Sequence, residues 1–216
     1  MTPPCAKVDH GPEESRLEAG TLMDEPIARR LRRSFRHFNR GMVLLWRLGF
    51  GRWINLWPSG SGRIMVITHV GRKSGRRFRT PLNYAEVDGD LYCTAGFGPG
   101  SDWYRNVLAN PQVEVWLPGR SWAATVEDVS SSPQRLSLLR EVLVASGLAA
   151  PAAGVPVRRL SEEELAEKTA DYQLLRIHRT GPATGRPRPG DLAWVWAALV
   201  AGAAALAILV GRTGHR

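Results

Sequence analysis

The sequence predicts an α+β fold: an antiparallel β-barrel, closed or split, with flanking helices, followed by one C-terminal transmembrane helix. Three observations point there. Short β-branched or alternating segments recur between Gly51 and Arg179 with turn residues between them. Segments with helical apolar spacing interrupt them. Finally, "LAWVWAALVAGAAALAILVG", Leu192 to Gly211, runs for twenty residues without a charge, which at about 1.5 Å per residue matches the roughly 30 Å core of a bilayer.

The elements follow in order. "GRIMVITHV" is an apolar, β-branched run, and "TPLNYAEV" and "DLYCTAG" read as two further strands, joined at "DGD", Asp88 to Asp90, by a hairpin turn. These three suggest a meander. "SDWYRNVLANP" offers Ser101 or Asp102 as N-cap and stops at Asn110-Pro111, so it predicts a short helix. "QVEVWL" and "SWAATVEDV" predict two strands around a Pro118-Gly119 turn. "SPQRLSLLREVLVASG" has helical spacing and a closing Gly147, "SEEELAEK" opens with a capping-box pattern, and "YQLLRIHR" predicts the last strand. About six strands in such an order suit a barrel better than a doubly wound sheet.

The ends differ from this domain. Residues 1–25 are polar, contain proline and lack periodicity, which predicts disorder. Residues 26–50 predict a basic amphipathic helix: Ile27, Leu31, Phe35, Phe38, Met42 and Leu45 fall at intervals of three and four, with Arg29, Arg30, Arg32, Arg33, Arg36 and Arg40 between them. Such a helix packs on its own domain, lies on anionic lipid, or both. Residues 51–179 form the folded domain, residues 180–190 ("TGPATGRPRPG") a Pro/Gly-rich tether, and residues 191–212 the anchor. Trp194 and Trp196 at the start of the anchor suit a headgroup region. Arg176, Arg179, Arg186 and Arg188 before it predict that the domain stays on the cytoplasmic side.

Composition limits the function classes. With 216 residues, 44% hydrophobic and 23% charged, the chain is long enough for a real core. A formal net charge of +9 favours an anionic partner: nucleic acid, an acidic membrane surface or a phosphorylated small molecule. Cys5 and Cys93 are too few for a disulfide framework, and residues 1–20 lack the apolar core of a signal peptide. His10, His37, His69, His178 and His215 show no metal-ligand spacing, and no nucleophilic triad can be argued. No catalytic residue is assigned from sequence. A ligand site without an acid-base cluster fits a protein whose bound cofactor carries the reaction.

Two stretches suggest such a site. In "GRKSGRRFRTPL" five of the eight residues from Arg72 to Arg79 are Lys or Arg, bracketed by Gly71 and Gly75. The spacing is neither a Walker P-loop nor G-x-G-x-x-G. It is a Gly-flanked turn between strands, able to aim backbone N–H groups with Arg72, Lys73 and the Ser74 hydroxyl at one anion such as phosphate. Arg77 and Arg79, two apart, fall on one strand face with Phe78 on the other, and are expected to hold a second anionic group. "TAGFGPGSDWYRN" then places a Gly-rich loop before a helix start, where a flat or phosphorylated ligand approaches backbone closely, with Trp103 and Tyr104 as walls or as packing.

"THVGRKSGRRFRTPLNY", "VDGDLYCTAGFGPGSDWYRNVLANPQVEV" and "YQLLRI" together resemble the deazaflavin-dependent nitroreductase family, split-barrel oxidoreductases related to the FMN-binding pyridoxamine-phosphate-oxidase-like barrels. The resemblance spans about residues 40–179. It implies a split barrel and coenzyme F420, an 8-hydroxy-5-deazaflavin, ahead of FMN. It also implies that Arg72, Lys73 and Ser74 bind the anionic tail, that Thr80, Pro81 and Leu82 lie by the ring, and that Asn106 helps close the site. Phe78 stands where relatives often carry Arg, with Arg77 and Arg79 as compensation, and Gly96 and Phe97 stand where they carry a Ser-Lys pair. No tyrosine occurs from Ser146 to Ala170, where nitro-activating relatives use tyrosines.

The expected function is a membrane-tethered reductase that passes a hydride from the reduced deazaflavin to an apolar acceptor such as a quinone. The alternative implied by a related branch is a fatty-acid or lipid carrier without redox activity. A nucleic-acid binder is a third reading, but no recognised nucleic-acid module is present.

Overall fold

The chain divides into two units, Met1–Phe38 and Asn39–Arg216. The computed structural model describes residues 39–56, 62–183 and 188–213, with side chains as far as residue 207. The expected disordered tail, the first half of the amphipathic helix and residues 184–187 of the tether lie outside the described residues.

Among the described residues seven strands form one antiparallel sheet: β1 (Ile64–Val70), β2 (Arg77–Asn83), β3 (Ala85–Val87), β4 (Asp90–Ala95), β5 (Gln112–Leu117), β6 (Arg120–Asp128) and β7 (Gln173–Pro182). Their spatial order is β2-β1-β5-β6-β7-β4-β3. The expected meander is therefore corrected. β2 and β3 are consecutive in the chain, separated by Tyr84 alone, yet occupy opposite edges of the sheet. Since neighbouring Cα atoms lie only about 3.8 Å apart, the sheet must curl until its edges approach each other. The result is an α+β fold with a curled half-barrel, and the Tyr84 N–H, donated to the Arg63 carbonyl at 3.1 Å, pins the crossing.

The turn expected at "DGD" forms, with positive φ at both Asp88 (51°) and Gly89 (85°), as a two-residue hairpin of matching twist requires. β2 begins at Arg77, earlier than the apolar pattern suggested, because its pairing with β1 runs from Ile64↔Asn83 to Val70↔Arg77 and includes the charged residues.

The curl encloses a core of Met65, Ile67, Leu91, Cys93, Val115, Leu117, Leu175 and Ile177, residues that alternate along their strands. The helix α3 (Asp102–Ala109) adds Tyr104 and Val107 to this core. Tyr104 Oη also donates to Asp128 Oδ2 at 2.5 Å, tying α3 to β6, and burial with that contact pushes its phenol up to about 12. On the opposite sheet face, the described part of α1, residues 39–47, sets Trp46 against Val66 and Trp116. The short α2 (Gly51–Ile54) follows it. α4 (Arg135–Ala145) covers β3, β4 and β7 with Leu138, Leu139 and Val142, while α5 (Ala149–Ala152) and α6 (Glu162–Lys168) pack behind it. The capping box of α6 is present: the Glu164 N–H donates to Ser161 Oγ, and the Ser161 N–H to Glu164 Oε2.

A C-terminal helix forms, α7 (Trp194–Thr213), but the expected transmembrane span is not found. Among the described residues no helix is long and apolar enough to cross a membrane. The expected span began at Leu192, yet Leu192 and Ala193 belong to a turn that docks on α1: the Leu192 N–H donates to the Arg47 carbonyl, Gly190 N–H to that of Trp46, and Arg47 pairs with Asp191 through both carboxylate oxygens.

Candidate functional site

The site starts from the alternation of β1. Met65 and Ile67 point into the barrel, so His69, two residues further, points the same way. It is 3% exposed, and burial pulls its imidazole down to about 4 from an ordinary 6.5, so it is neutral at physiological pH. His69 Nε2 lies 3.1 Å from Thr80 Oγ1 on β2, and its ring stacks on Phe78 at a centroid separation of 6.0 Å.

β1 then enters the loop 71–76, which folds on itself. The Gly71 N–H donates to the Arg76 carbonyl, and the N–H groups of Ser74 and Gly75 donate to the Gly71 carbonyl. Two glycines make this turn possible. Gly75 sits at φ +64°, and a Cβ on Gly71 would fall 2.6 Å from Phe78 Cε2 and 2.9 Å from Ser74 Oγ.

The loop is clamped to the first turns of α3. Asn106 Oδ1 accepts from the Arg72 backbone N–H at 3.1 Å and from Arg72 Nη1 at 2.9 Å; Arg72 Nη1 also reaches the Asp102 carbonyl, and Nη2 the Asp102 carboxylate at 3.0 Å. Because Arg72 only donates, the Asn106 oxygen must face it, which turns the amide nitrogen toward His69 Nδ1 at 3.5 Å. Nδ1 then accepts, and the imidazole proton sits on Nε2, directed at Thr80. A chain of polar contacts thus runs from Thr80 through His69, Asn106 and Arg72 to Asp102.

Several expected residues meet here, and several do not. Arg72, Thr80 and Asn106 belong to this chain. Lys73 and Ser74 are exposed on the loop, and Ser74 Oγ takes the Arg76 N–H at 3.4 Å. Lys73 and Arg76 have no ion pair among the described residues. Leu82 shares the barrel-facing side of β2 with Thr80 and packs on the core. Gly96 lies against Tyr172, whose ring would be 3.3 Å from an added Cβ; the next residue, Phe97, is 76% exposed. Both precede α3, on which Trp103 is half-buried against the core, edge-on to Tyr104.

Arg77, Arg79 and Pro81 point to the other side of β2, so a second anionic group held by Arg77 and Arg79 would lie on the face opposite Thr80 and Leu82. The alternation that puts them together also turns them away. Arg77 Nη2 pairs with Glu114 Oε2 at 3.0 Å, and Arg79 lies over the Trp116 ring at 5.2 Å, where burial and then Arg77 and Arg47 lower its basicity. Buried side-chain atoms without a hydrogen-bond partner collect on this outer face: Trp46 Nε1, Thr68 Oγ1, Arg79 Nε, Glu114 Oε1 and Trp116 Nε1.

The reading from residues alone passed over His69, Asp102 and Arg76. His69 was legible in principle, since it continues the Met65, Ile67 alternation. Cys93 is fully buried, its thiol pushed up to about 12, and is chemically inert. An open groove of about 650 Å³ between Arg63, Glu86, Glu141 and Arg159 contains none of the expected site residues.

With this geometry in view, comparison with known proteins is informative. Residues 51–155, which contain the loop, β2 and α3, match the model of a family described as F420H(2)-dependent quinone reductase. Solved structures similar to this chain include an F420-H2 dependent reductase (24% identity, 53% of this chain and 93% of that one, TM-score 0.39). Others are the haem storage protein HutZ of Vibrio cholerae (14%, 64% and 92%, TM-score 0.40) and a NimC/NimA family protein of Clostridium acetobutylicum (16%, 61% and 84%, TM-score 0.34). The match over residues 51–155 indicates a deazaflavin-dependent reductase with coenzyme F420 as its cofactor.

Proposed function

We propose that this reductase transfers a hydride from reduced F420 to an apolar, quinone-like acceptor at a site bounded by the loop 71–76, β2 and the N-terminus of α3. The observation that carries the placement is the state of the loop cations. Arg72 is committed to Asn106 and Asp102, whereas Lys73 and Arg76 are exposed and have no ion pair among the described residues. Two cations and the Ser74 hydroxyl on a turn made tight by Gly71 and Gly75 fit the phosphate and oligoglutamate of the coenzyme.

In this reading Lys73, Ser74 and Arg76 hold the anionic tail, and Thr80 and Leu82 lie by the ring. Gly96 gives backbone access, and Phe97 and Trp103 wall the acceptor side and keep water out. When bound, F420 supplies the two-electron hydride chemistry. The quinone takes that hydride and a proton from solvent to become the quinol. The protein's part is orientation and water exclusion, with neutral His69 keeping Thr80 in position.

Membrane association belongs to the same proposal. Trp194, Trp196, Leu199, Val200 and Leu206 on α7 are exposed, an apolar surface suited to lipid, and proximity to the bilayer raises the effective concentration of a lipid-soluble quinone. In this reading the folded domain lies on the cytoplasmic side. The test is to mix the full chain with reduced F420 and a short-chain naphthoquinone and follow the return of the oxidised deazaflavin absorbance. Quinone-dependent oxidation supports the reading. F420 binding without quinone-dependent oxidation, with copurified acyl chains, would favour the lipid-carrier alternative.

A further inference from the structure

The family resemblance of the sequence implies that Arg72 binds the anionic tail and that Asn106 helps close the site. The geometry points to a different division of labour, which rests on the reading of the loop proposed above: we infer that Asp102, Asn106 and Arg72 form a clamp that pre-shapes the loop 71–76 for the coenzyme tail, acting as positioning residues rather than as ligands.

Three features argue for this. Three of the four hydrogen-bonding directions of Asn106 are engaged inside the protein: its oxygen takes two Arg72 donors, its amide faces His69, and the side chain is 7% exposed. The Arg72 guanidinium forks between Asn106 Oδ1, the Asp102 carbonyl and the Asp102 carboxylate, a planar pattern that a lysine ammonium cannot reproduce. The Arg72 backbone N–H is itself one of the donors, so the clamp fixes main chain at the second residue of the loop and not merely a side-chain rotamer. Fixing a loop in its bound shape raises affinity by removing an ordering cost from the binding step.

Asp102 supplies a test of opposite signs. Its carboxylate is exposed and lies beside the loop that takes an anionic tail. If it were only an acidic neighbour, neutralising it would relieve repulsion and tighten F420 binding. If it holds Arg72, neutralising it loosens the loop and weakens binding.

Asp102→Asn, Arg72→Lys and the wild-type full chain are titrated with F420 and with its tail-less riboside, and hydrogen exchange at the amides of residues 71–76 is followed without cofactor. The expected result is a loss of F420 affinity of about threefold in Asp102→Asn, since the ion pair is exposed, and about tenfold in Arg72→Lys. Riboside affinity stays unchanged, and loop exchange is faster in both variants. Unchanged or tighter F420 binding by Asp102→Asn, or near wild-type affinity and exchange in Arg72→Lys, would overturn the clamp. The tail site fails separately, if Lys73→Ala leaves F420 affinity intact.

Discussion

Replacing Lys73 and Arg76 together by alanine is expected to weaken F420 binding roughly a hundredfold while leaving the unfolding midpoint unchanged. Each removes a charge-assisted contact to the anionic tail, worth about 1.5–3 kcal/mol where it is formed. Neither is paired with an acid among the described residues, and both are exposed, so the folded state has little to lose. Arg77→Ala is the contrasting variant. It strips the partner from the buried Glu114 carboxylate on the outer face and lowers stability by about 1–2 kcal/mol, below the loss for a fully buried pair because Arg77 is half-exposed. F420 affinity is expected to hold. Denaturant unfolding read beside a cofactor titration separates the two faces of β2.

Stability is expected to fall as pH drops from 6.5 to 4. His69 titrates at about 4 in the folded protein and at 6.5 when unperturbed, burial being the cause. Between these values the unfolded chain binds a proton that the folded chain does not, so the proton favours unfolding. The contribution is fully present above about pH 6.5 and lost as pH falls through 4, amounting to about 3 kcal/mol at 1.36 kcal/mol per unit. In His69→Gln that slope should flatten whatever the variant's stability at neutral pH. Denaturant midpoints at intervals from pH 4 to 7 measure it, and equal slopes in both proteins would show that His69 is not the titrating group.

What the sequence made legible was local. β1, β4, the hairpin at Asp88-Gly89, α3 and the capping box of α6 all follow from spacing and turn chemistry within a few residues. β2 was read as starting late because Arg77 and Arg79 interrupt its apolar pattern, and their place in the strand is set by pairing with Val70 and Thr68. The sheet order was not legible, since β1 pairs with β5 and β4 with β7 across long stretches of chain.

The site divided along the same line. Period-2 spacing correctly put Arg77 and Arg79 on one face and Phe78 on the other. Which face carries the loop depends on Glu114 and Trp116 behind β2 and on Asn106 in front, groups that only the fold brings near. The neutral state of His69 likewise arises from enclosure by Phe78, Thr80 and Asn106, not from its neighbours in sequence.

The central claim is that the loop 71–76 holds the anionic end of the deazaflavin coenzyme. Its most direct test is a paired titration of the full chain and of Lys73→Ala with F420 and with the tail-less riboside. The account predicts that the wild type binds F420 much more tightly than the riboside, and that Lys73→Ala loses most of this difference while its riboside affinity stays the same. Equal affinity for the two ligands in the wild type, or a preference for F420 that survives Lys73→Ala undiminished, would contradict it.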